Sequence, residues 1–339
     1  MNAVSGDHRP VAVLGAGSWG TALAIQFARS GRATRLWGRD GAQLSRMAET
    51  RCNERYLPSG IFPAALRIEA DLAGAVDAAA DVLVAVPSHA LRALLVRIGP
   101  LLTPSTRLAW ATKGFELPSG LLPHQVAREV LGAGRSVAVL SGPTFAREVG
   151  AGLPTAMTIA AADAAFATAL AQDLSADHFR AYTSTDIVGV EVGGAVKNVL
   201  AVGAGLSDGL GFGANTRVAL ITRGLAEMMR LGVALGAHRE TFMGLAGLGD
   251  LVLTCTDDQS RNRRFGLRLA VGSTPAEALA AIGQVVEGYP AARALHEVAA
   301  RHAVEMPLSQ SVYRVLYEGV TPREAVRDLM RRPIKSETE

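Results

Sequence analysis

Up to about residue 183, short apolar or β-branched runs alternate with alanine- and leucine-rich stretches of helical periodicity. The pattern predicts strands over 11–14, 34–37, 66–68, 82–86, 107–111 and 137–140,. Two further apolar runs, 155–160 and 179–182, extend the sheet, and helices are expected over 21–29, 42–50, 91–98 and 121–131. Strands alternating with helices in this way make a mostly parallel, doubly wound α/β sheet. Past about Asp186 the alternation stops. Val218, Ile221, Leu225, Met228 and Met229 recur at helical spacing,. Thr274-Pro275-Ala276-Glu277 and Thr321-Pro322-Arg323-Glu324 each read as a helix start, with a capping hydroxyl, proline in the first helical position and glutamate three residues after the cap,. The expected organisation is an α/β domain over 1–189 and an all-helical domain over 190–339, with disorder in the first nine and last several residues.

Composition narrows what such a chain can be. Its 339 residues are 49% hydrophobic and 19% charged, enough for a buried core in each of two domains and too apolar for disorder,. The two cysteines, Cys52 and Cys255, make neither a disulfide framework nor a four-ligand zinc site, no metal is expected, and their scarcity suits a reducing, cytoplasmic setting,. A net charge of +3 is too even for a nucleic-acid footprint, so any anion binding is local,. The uncharged run over 11–28 reaches the length of a membrane span or signal peptide,. Gly15, Gly17, Ser18, Gly20, Thr21 and Gln26 interrupt it, however, and its motif gives it another meaning.

Gly15-Ala16-Gly17-Ser18-Trp19-Gly20 follows an apolar strand and opens a helix. In that context Gly15 permits a tight turn, Gly17 lets a pyrophosphate approach the backbone, and Gly20 lets helix pack on strand, the dinucleotide-binding arrangement. The phosphates then meet free N–H groups at the positive end of the helix near Ser18 and Trp19. No membrane span is therefore expected here. At the end of the second strand stands Gly38-Arg39-Asp40, where Arg39 suits a ribose 2′-phosphate and favours NADP over NAD,. The competing reading is a solvated Arg39–Asp40 turn.

Ligands of a doubly wound sheet bind beyond the carboxyl ends of its strands. Three segments there carry chemistry: Pro87-Ser88-His89, Thr112-Lys113-Gly114 and Ser141-Gly142-Pro143-Thr144. Lys113 either projects an ammonium toward an anionic ligand or lies along the surface as lysines commonly do. His89 has no carboxylate near it in sequence and reads as a structural helix-start residue. In the helical half, Lys197 lies among small and apolar residues, a setting unfavourable for a charge without a partner and one that tunes a lysine for proton transfer,. Asp250 sits in an apolar turn. Ser260, Arg261 and Asn262 stand together where a helix begins, which suits either a phosphate or a solvated arginine-rich helix start,.

The segments GAGSWGTALA, AVPSHALR, WATKGFE, SGPTFAREV, GGAVKNVLAVGAGLSDGLGFGANTRVALITRGLAEM, GLAGLGDLVLTCTDDQSRNRRFG and GQVVEGYPAA, in this order, closely resemble bacterial NAD(P)-dependent glycerol-3-phosphate dehydrogenases from about Val11 to about Met330. The resemblance implies a Rossmann domain followed by an all-α domain of the 6-phosphogluconate-dehydrogenase-like type, and a homodimer. It also implies reduction of dihydroxyacetone phosphate to sn-glycerol 3-phosphate for phospholipid synthesis. Carried onto this chain, it makes Lys197 the proton donor or acceptor, with Asp250 beside it. Lys113, Gly142, Thr144, Ser260, Arg261 and Asn262 would contact substrate. Ser18, Trp19, Arg39, Lys113, Ala146, Arg261, Val285 and Glu287 would contact NADP or NAD. The remaining alternatives are another hydroxyacid dehydrogenase of the same superfamily and a non-catalytic NADP-responsive module.

Overall fold

The computed structural model describes residues 10–176, 178–334 and 336. The disorder expected of the first nine residues lies outside that set, as do residues 335 and 337–339. The chain divides into two compact units, one ending at Glu116 and resuming over Leu121–Glu191, the other made of Leu117–Gly120 and the chain from Val192 onward.

The first unit is built on an eight-stranded sheet in the order β10-β9-β8-β7-β6-β1-β2-β5. Its strands are β1 (Val11–Leu14), β2 (Thr34–Trp37), β5 (Leu66–Glu69), β6 (Asp81–Val84), β7 (Arg107–Trp110), β8 (Val137–Ser141), β9 (Thr155–Ala161) and β10 (Phe179–Ser184). All pairings are parallel except β8 with β9. The helices of this unit are α1 (Ser18–Arg29), α2 (Gly41–Thr50), α3 (Leu72–Val76), α4 (Ser88–Ile98), α5 (Pro123–Leu131), α6 (Ala146–Ala151) and α7 (Ala164–Leu174), and α8 (Ile187–Gly209) begins in it. All four residues of β1 are fully buried, which explains why the strand reads as an unbroken apolar run,. Around it Leu23, Ile25 and Phe27 of α1 pack with Leu36, Leu83, Leu140, Ile159 and Phe166.

Element edges depart from the sequence pattern where backbone contacts outrank it. The strand expected over 82–86 is Asp81–Val84, because after the Ala85 N–H reaches the Leu14 carbonyl (2.8 Å) the chain turns toward Pro87 and enters α4. The helix expected over 121–131 begins at Pro123, whose fixed φ suits a first turn,. A small hairpin of β3 (Cys52–Asn53) with β4 (Leu57–Ile61) has no counterpart in the pattern. Pro58 and Gly60 lie within β4 and read as loop residues,.

Past α8 the second unit continues through α9 (Ala214–Ala234), α10 (Asp250–Thr256), α11 (Arg261–Ala270), α12 (Pro275–Ile282), α13 (Gly288–Arg301), α14 (Pro307–Tyr317) and α15 (Pro322–Met330), with no strand among its described residues. Both expected capping boxes form. Thr274 Oγ1 accepts from the Glu277 N–H (3.3 Å) while Glu277 accepts from the Thr274 N–H (2.8 Å), and Thr321 and Glu324 repeat the exchange. These bonds hold the carboxyls of Glu277 and Glu324 below the usual carboxylate range,. Among the described residues the helix long and apolar enough to cross a membrane is α8, while the run over 11–28 divides into β1, a turn and α1. That helix, α8, is mostly buried inside the protein, as in a core helix.

Candidate active site

In the first unit the loops after β1, β6, β7 and β8 lie along one end of the sheet, because these four strands are parallel neighbours. Strand order reverses at β1, which is flanked by β2 and β6, and such a reversal is where doubly wound sheets bind ligands,. Gly15 sits at φ +129°, and a Cβ there would come within 2.4 Å of the Ala85 carbonyl oxygen; one on Gly20 would come within 1.9 Å of the Gly15 carbonyl oxygen. Both positions accept only hydrogen. Around Gly17 the space is open, and α1 starts there with no side-chain cap and no acidic residue in its first turn. Its leading N–H groups are therefore available to an anion. Trp19, the second residue of α1, keeps its Nε1 buried without a hydrogen-bond partner. A dinucleotide phosphate fits these residues.

The cradle is braced from below by residues the sequence did not single out. Fully buried Asn53 donates through Nδ2 to the Ala16 carbonyl (3.1 Å) and to Thr21 Oγ1 (2.8 Å), and Gln43 Nε2 also donates to the Ala16 carbonyl (3.0 Å). Asn53 lies in the unexpected hairpin, so no periodic signal marked it. Arg39 is exposed just past β2. Asp40 caps α2 by accepting from the Gln43 N–H (3.1 Å), and it faces Arg55 at 3.7 Å.

Lys113, half-buried, follows β7, and Thr112 Oγ1 ties that loop to the Val86 carbonyl (2.7 Å). Gly142 is buried after β8, half-buried Thr144 donates through Oγ1 to its carbonyl (3.2 Å), and half-buried Ala146 opens α6. His89 is exposed in the first turn of α4.

The second unit brings Lys197 and Asp250 together. Lys197, 7% exposed on α8, donates through Nζ to Asp250 Oδ1 and to Thr254 Oγ1 (3.1 Å), while Thr254 Oγ1 donates to the Asp250 carbonyl (2.6 Å). Asp250 is wholly buried as the first residue of α10, after a widened turn in which the Gly249 N–H reaches the Gly244 carbonyl. Lys197 thus has the partner its apolar setting demands, because two opposite buried charges offset part of each other's desolvation. Thr254, four residues after Asp250 on one helix face, was legible only once that helix was known.

Next to Lys197, Asn198 donates to Glu287 Oε2 (3.0 Å) and accepts from Asn262 Nδ2 (2.8 Å), and Asn262 Oδ1 accepts from the Gly288 N–H (2.8 Å). Asn262 and Glu287 therefore join α8, α11 and the start of α13. Ser260 caps α11 by accepting from the Arg263 N–H (3.2 Å). Of the arginines in this run, Arg263 pairs with Asp208 (2.7 Å) and with Asp258, and Arg264 is exposed. Half-buried Arg261 stands at the head of the helix, and Val285 is exposed before α13. Cys255 lies within the electrostatic reach of Lys197 and Asp250, but burial pushes its thiol up to about 12 and keeps it protonated,.

A mostly parallel α/β unit with a phosphate cradle at its first turn, followed in the chain by a helical unit holding a buried lysine–carboxylate pair, defines a two-domain nicotinamide-dependent dehydrogenase. The family profile for the N-terminal part of NAD-dependent glycerol-3-phosphate dehydrogenase matches residues 10–167, and that for its C-terminal part matches 186–327. The chain belongs to the NAD-dependent glycerol-3-phosphate dehydrogenase family. It is 56% identical over 332 residues to glycerol-3-phosphate dehydrogenase (NAD(P)+) of Aeromonas hydrophila, covering 98% of this chain and 99% of that protein. The enzyme of the same name from Nitrosococcus oceani is 58% identical over 325 residues, covering 96% and 94%. The crystal structure of glycerol-3-phosphate dehydrogenase from Coxiella burnetii superposes with a TM-score of 0.92 at 47% identity, covering 96% of this chain and 99% of that one.

Proposed function

We propose that the chain reduces dihydroxyacetone phosphate to sn-glycerol 3-phosphate with NAD(P)H, reversibly, and that Lys197 exchanges the proton at the substrate C2 oxygen. The buried Lys197–Asp250–Thr254 cluster carries the reading. The dinucleotide supplies the hydride that C2 receives, and the protein's task is to orient and to manage charge. As ammonium, Lys197 polarises the ketone and passes a proton to the oxygen as negative charge develops there; in the oxidising direction its amine takes the hydroxyl proton. Asp250 and Thr254 fix the direction of Nζ.

Arg261, at the head of α11, grips the substrate phosphate with a guanidinium fork. Asn262 spends one Nδ2–H on Asn198 and keeps the second for substrate,. Lys113, Gly142, Thr144 and Ser260 complete the substrate contacts. Ser18, Trp19, Ala146, Val285 and Glu287 serve the cofactor, with Lys113 and Arg261 reaching both ligands. Binding energy from the phosphate, remote from the reacting carbon, then positions C2 for transfer.

The direct test follows NADPH absorbance with and without dihydroxyacetone phosphate. Oxidation that depends on that ketone, and not on a 2-oxo acid, is expected; turnover of a 2-oxo acid alone would overturn the reading in favour of a hydroxyacid dehydrogenase.

NADP is the preferred cofactor in this reading, because Arg39 is exposed where a 2′-phosphate would lie and Asp40 is engaged in capping α2. Arg39→Ala is expected to lower the ratio of kcat/KM for NADPH to that for NADH by about tenfold, the worth of one charge-assisted contact. An unchanged ratio would remove Arg39 from cofactor choice. The resemblance further supports a homodimer, for which sedimentation at about twice 35.3 kDa is expected. Two buried free thiols suit a cytoplasmic setting, which fluorescence of a tagged chain in the source cell would check,. The product's chemistry, a phosphorylated glycerol, is that of a glycerophospholipid backbone.

A further inference from the structure

Glu191 is a carboxylate that the reaction does not use, yet it is fully buried and wholly engaged. Its Oε1 accepts from Trp110 Nε1 (2.8 Å) and from the His124 N–H (3.0 Å), and its Oε2 lies 2.6 Å from His124 Nδ1. The three residues come from the end of β7, the first turn of α5 and the second turn of α8, and all belong to the first unit. A second fastening lies one turn earlier, where Asp186 Oδ1 accepts from the Gly189 N–H (2.8 Å) and starts α8.

Burial pushes the Glu191 carboxyl up, and the hydrogen bonds from His124 and Trp110 oppose that shift,. A buried carboxylate carries a desolvation penalty that a hydrophobic side chain of similar volume would not. What the carboxylate provides instead is direction: three donors from two elements meet it at defined angles.

Lys197 stands six residues further along α8, about 9 Å at 1.5 Å per residue. An angular error at the root of a helix is carried to the groups further along it. Displacements of about 1 Å at a reacting group cost up to about 10²-fold in rate.

We infer that Glu191 is a positioning residue: through Trp110 and His124 it fixes the root of the helix that carries Lys197. The inference rests on the proposed role of Lys197. Glu191→Leu keeps the volume and removes the acceptors. It is expected to lower kcat by about tenfold or more, with the NADPH dissociation constant, read by fluorescence, changed less than about threefold. Glu191→Gln keeps an acceptor for Trp110 Nε1 and the His124 N–H and presents an amide to Nδ1. It is expected to hold kcat within about threefold of the parent.

Both variants are assayed well below their melting temperatures, where a residue serving stability alone would leave kcat unmoved. If Glu191→Leu does not fold, Glu191→Asp, which keeps the charge and shortens the reach by one methylene, takes its place with the same expectations. Parental kcat in the leucine or aspartate variant would overturn the inference, and so would equal losses in that variant and in Glu191→Gln. Lys197→Ala measured in parallel separates the two readings. Retained turnover there removes the catalytic role of Lys197 whatever Glu191 does, whereas lost turnover there with parental kcat at Glu191→Leu removes only the positioning role.

Discussion

Lys197→Ala is expected to lower kcat for dihydroxyacetone phosphate reduction by about 10³-fold or more, near the upper end of what a positioned acid–base group contributes. NADPH binding should change little, because the phosphate cradle is formed by Gly15, Gly17 and α1 of the first unit. The substitution also strands Asp250, which is wholly buried, and uncovering one partner of a buried ion pair destabilises a protein by roughly 3–5 kcal/mol,. Loss of activity through unfolding must therefore be separated from loss of chemistry. The double variant Lys197→Met with Asp250→Asn removes both charges and should recover much of the melting temperature. It should recover none of the turnover. If it regained parental kcat, or if Lys197→Ala were fully active, proton exchange would belong to another group.

Arg261→Ala should raise the KM for dihydroxyacetone phosphate by about 10- to 100-fold, the loss of a charge-assisted contact with a phosphate. The sharper measurement uses dihydroxyacetone, which lacks the phosphate. Its kcat/KM should be nearly the same for parent and variant, because Arg261 acts on the group that is missing. Equal losses on both ketones would mean that the substitution disturbs α11 itself. Parental KM for the phosphorylated ketone would remove Arg261 from the phosphate site, and its two neighbours show why it is the arginine to test. Arg263 is committed to Asp208 and Asp258, and Arg264 is exposed.

What was legible in the sequence follows the range of the forces involved. The buried strand Val11–Leu14, the glycine turn after it and the capping boxes at Thr274 and Thr321 are short-range features, and each appears where the pattern placed it. The hairpin of β3 and β4 was hidden because Pro58 and Gly60 argue locally against a strand, and with it went Asn53, the brace beneath the phosphate cradle. The run over 11–28, long enough on its own to suggest a membrane, resolves into strand, turn and helix around the cradle. The apolar stretch that matches a span in length, α8, is instead a buried core helix.

The amino-acid sequence by itself determined the alternation of strands and helices, the glycine loop, the change to an all-helical second half and the residue types able to do the chemistry. Each depends on spacing within about a dozen residues or on the side chain's own nature. Only the tertiary structure decided which of those side chains meet. Lys197 finds Asp250 across 53 residues, Asn198 finds Asn262 across 64, and Glu191 finds Trp110 across 81. Hydrogen bonds over such separations are set by how helices and sheet pack, and local periodicity carries no information about them. They are also what gives a lysine in an apolar helix its buried carboxylate partner.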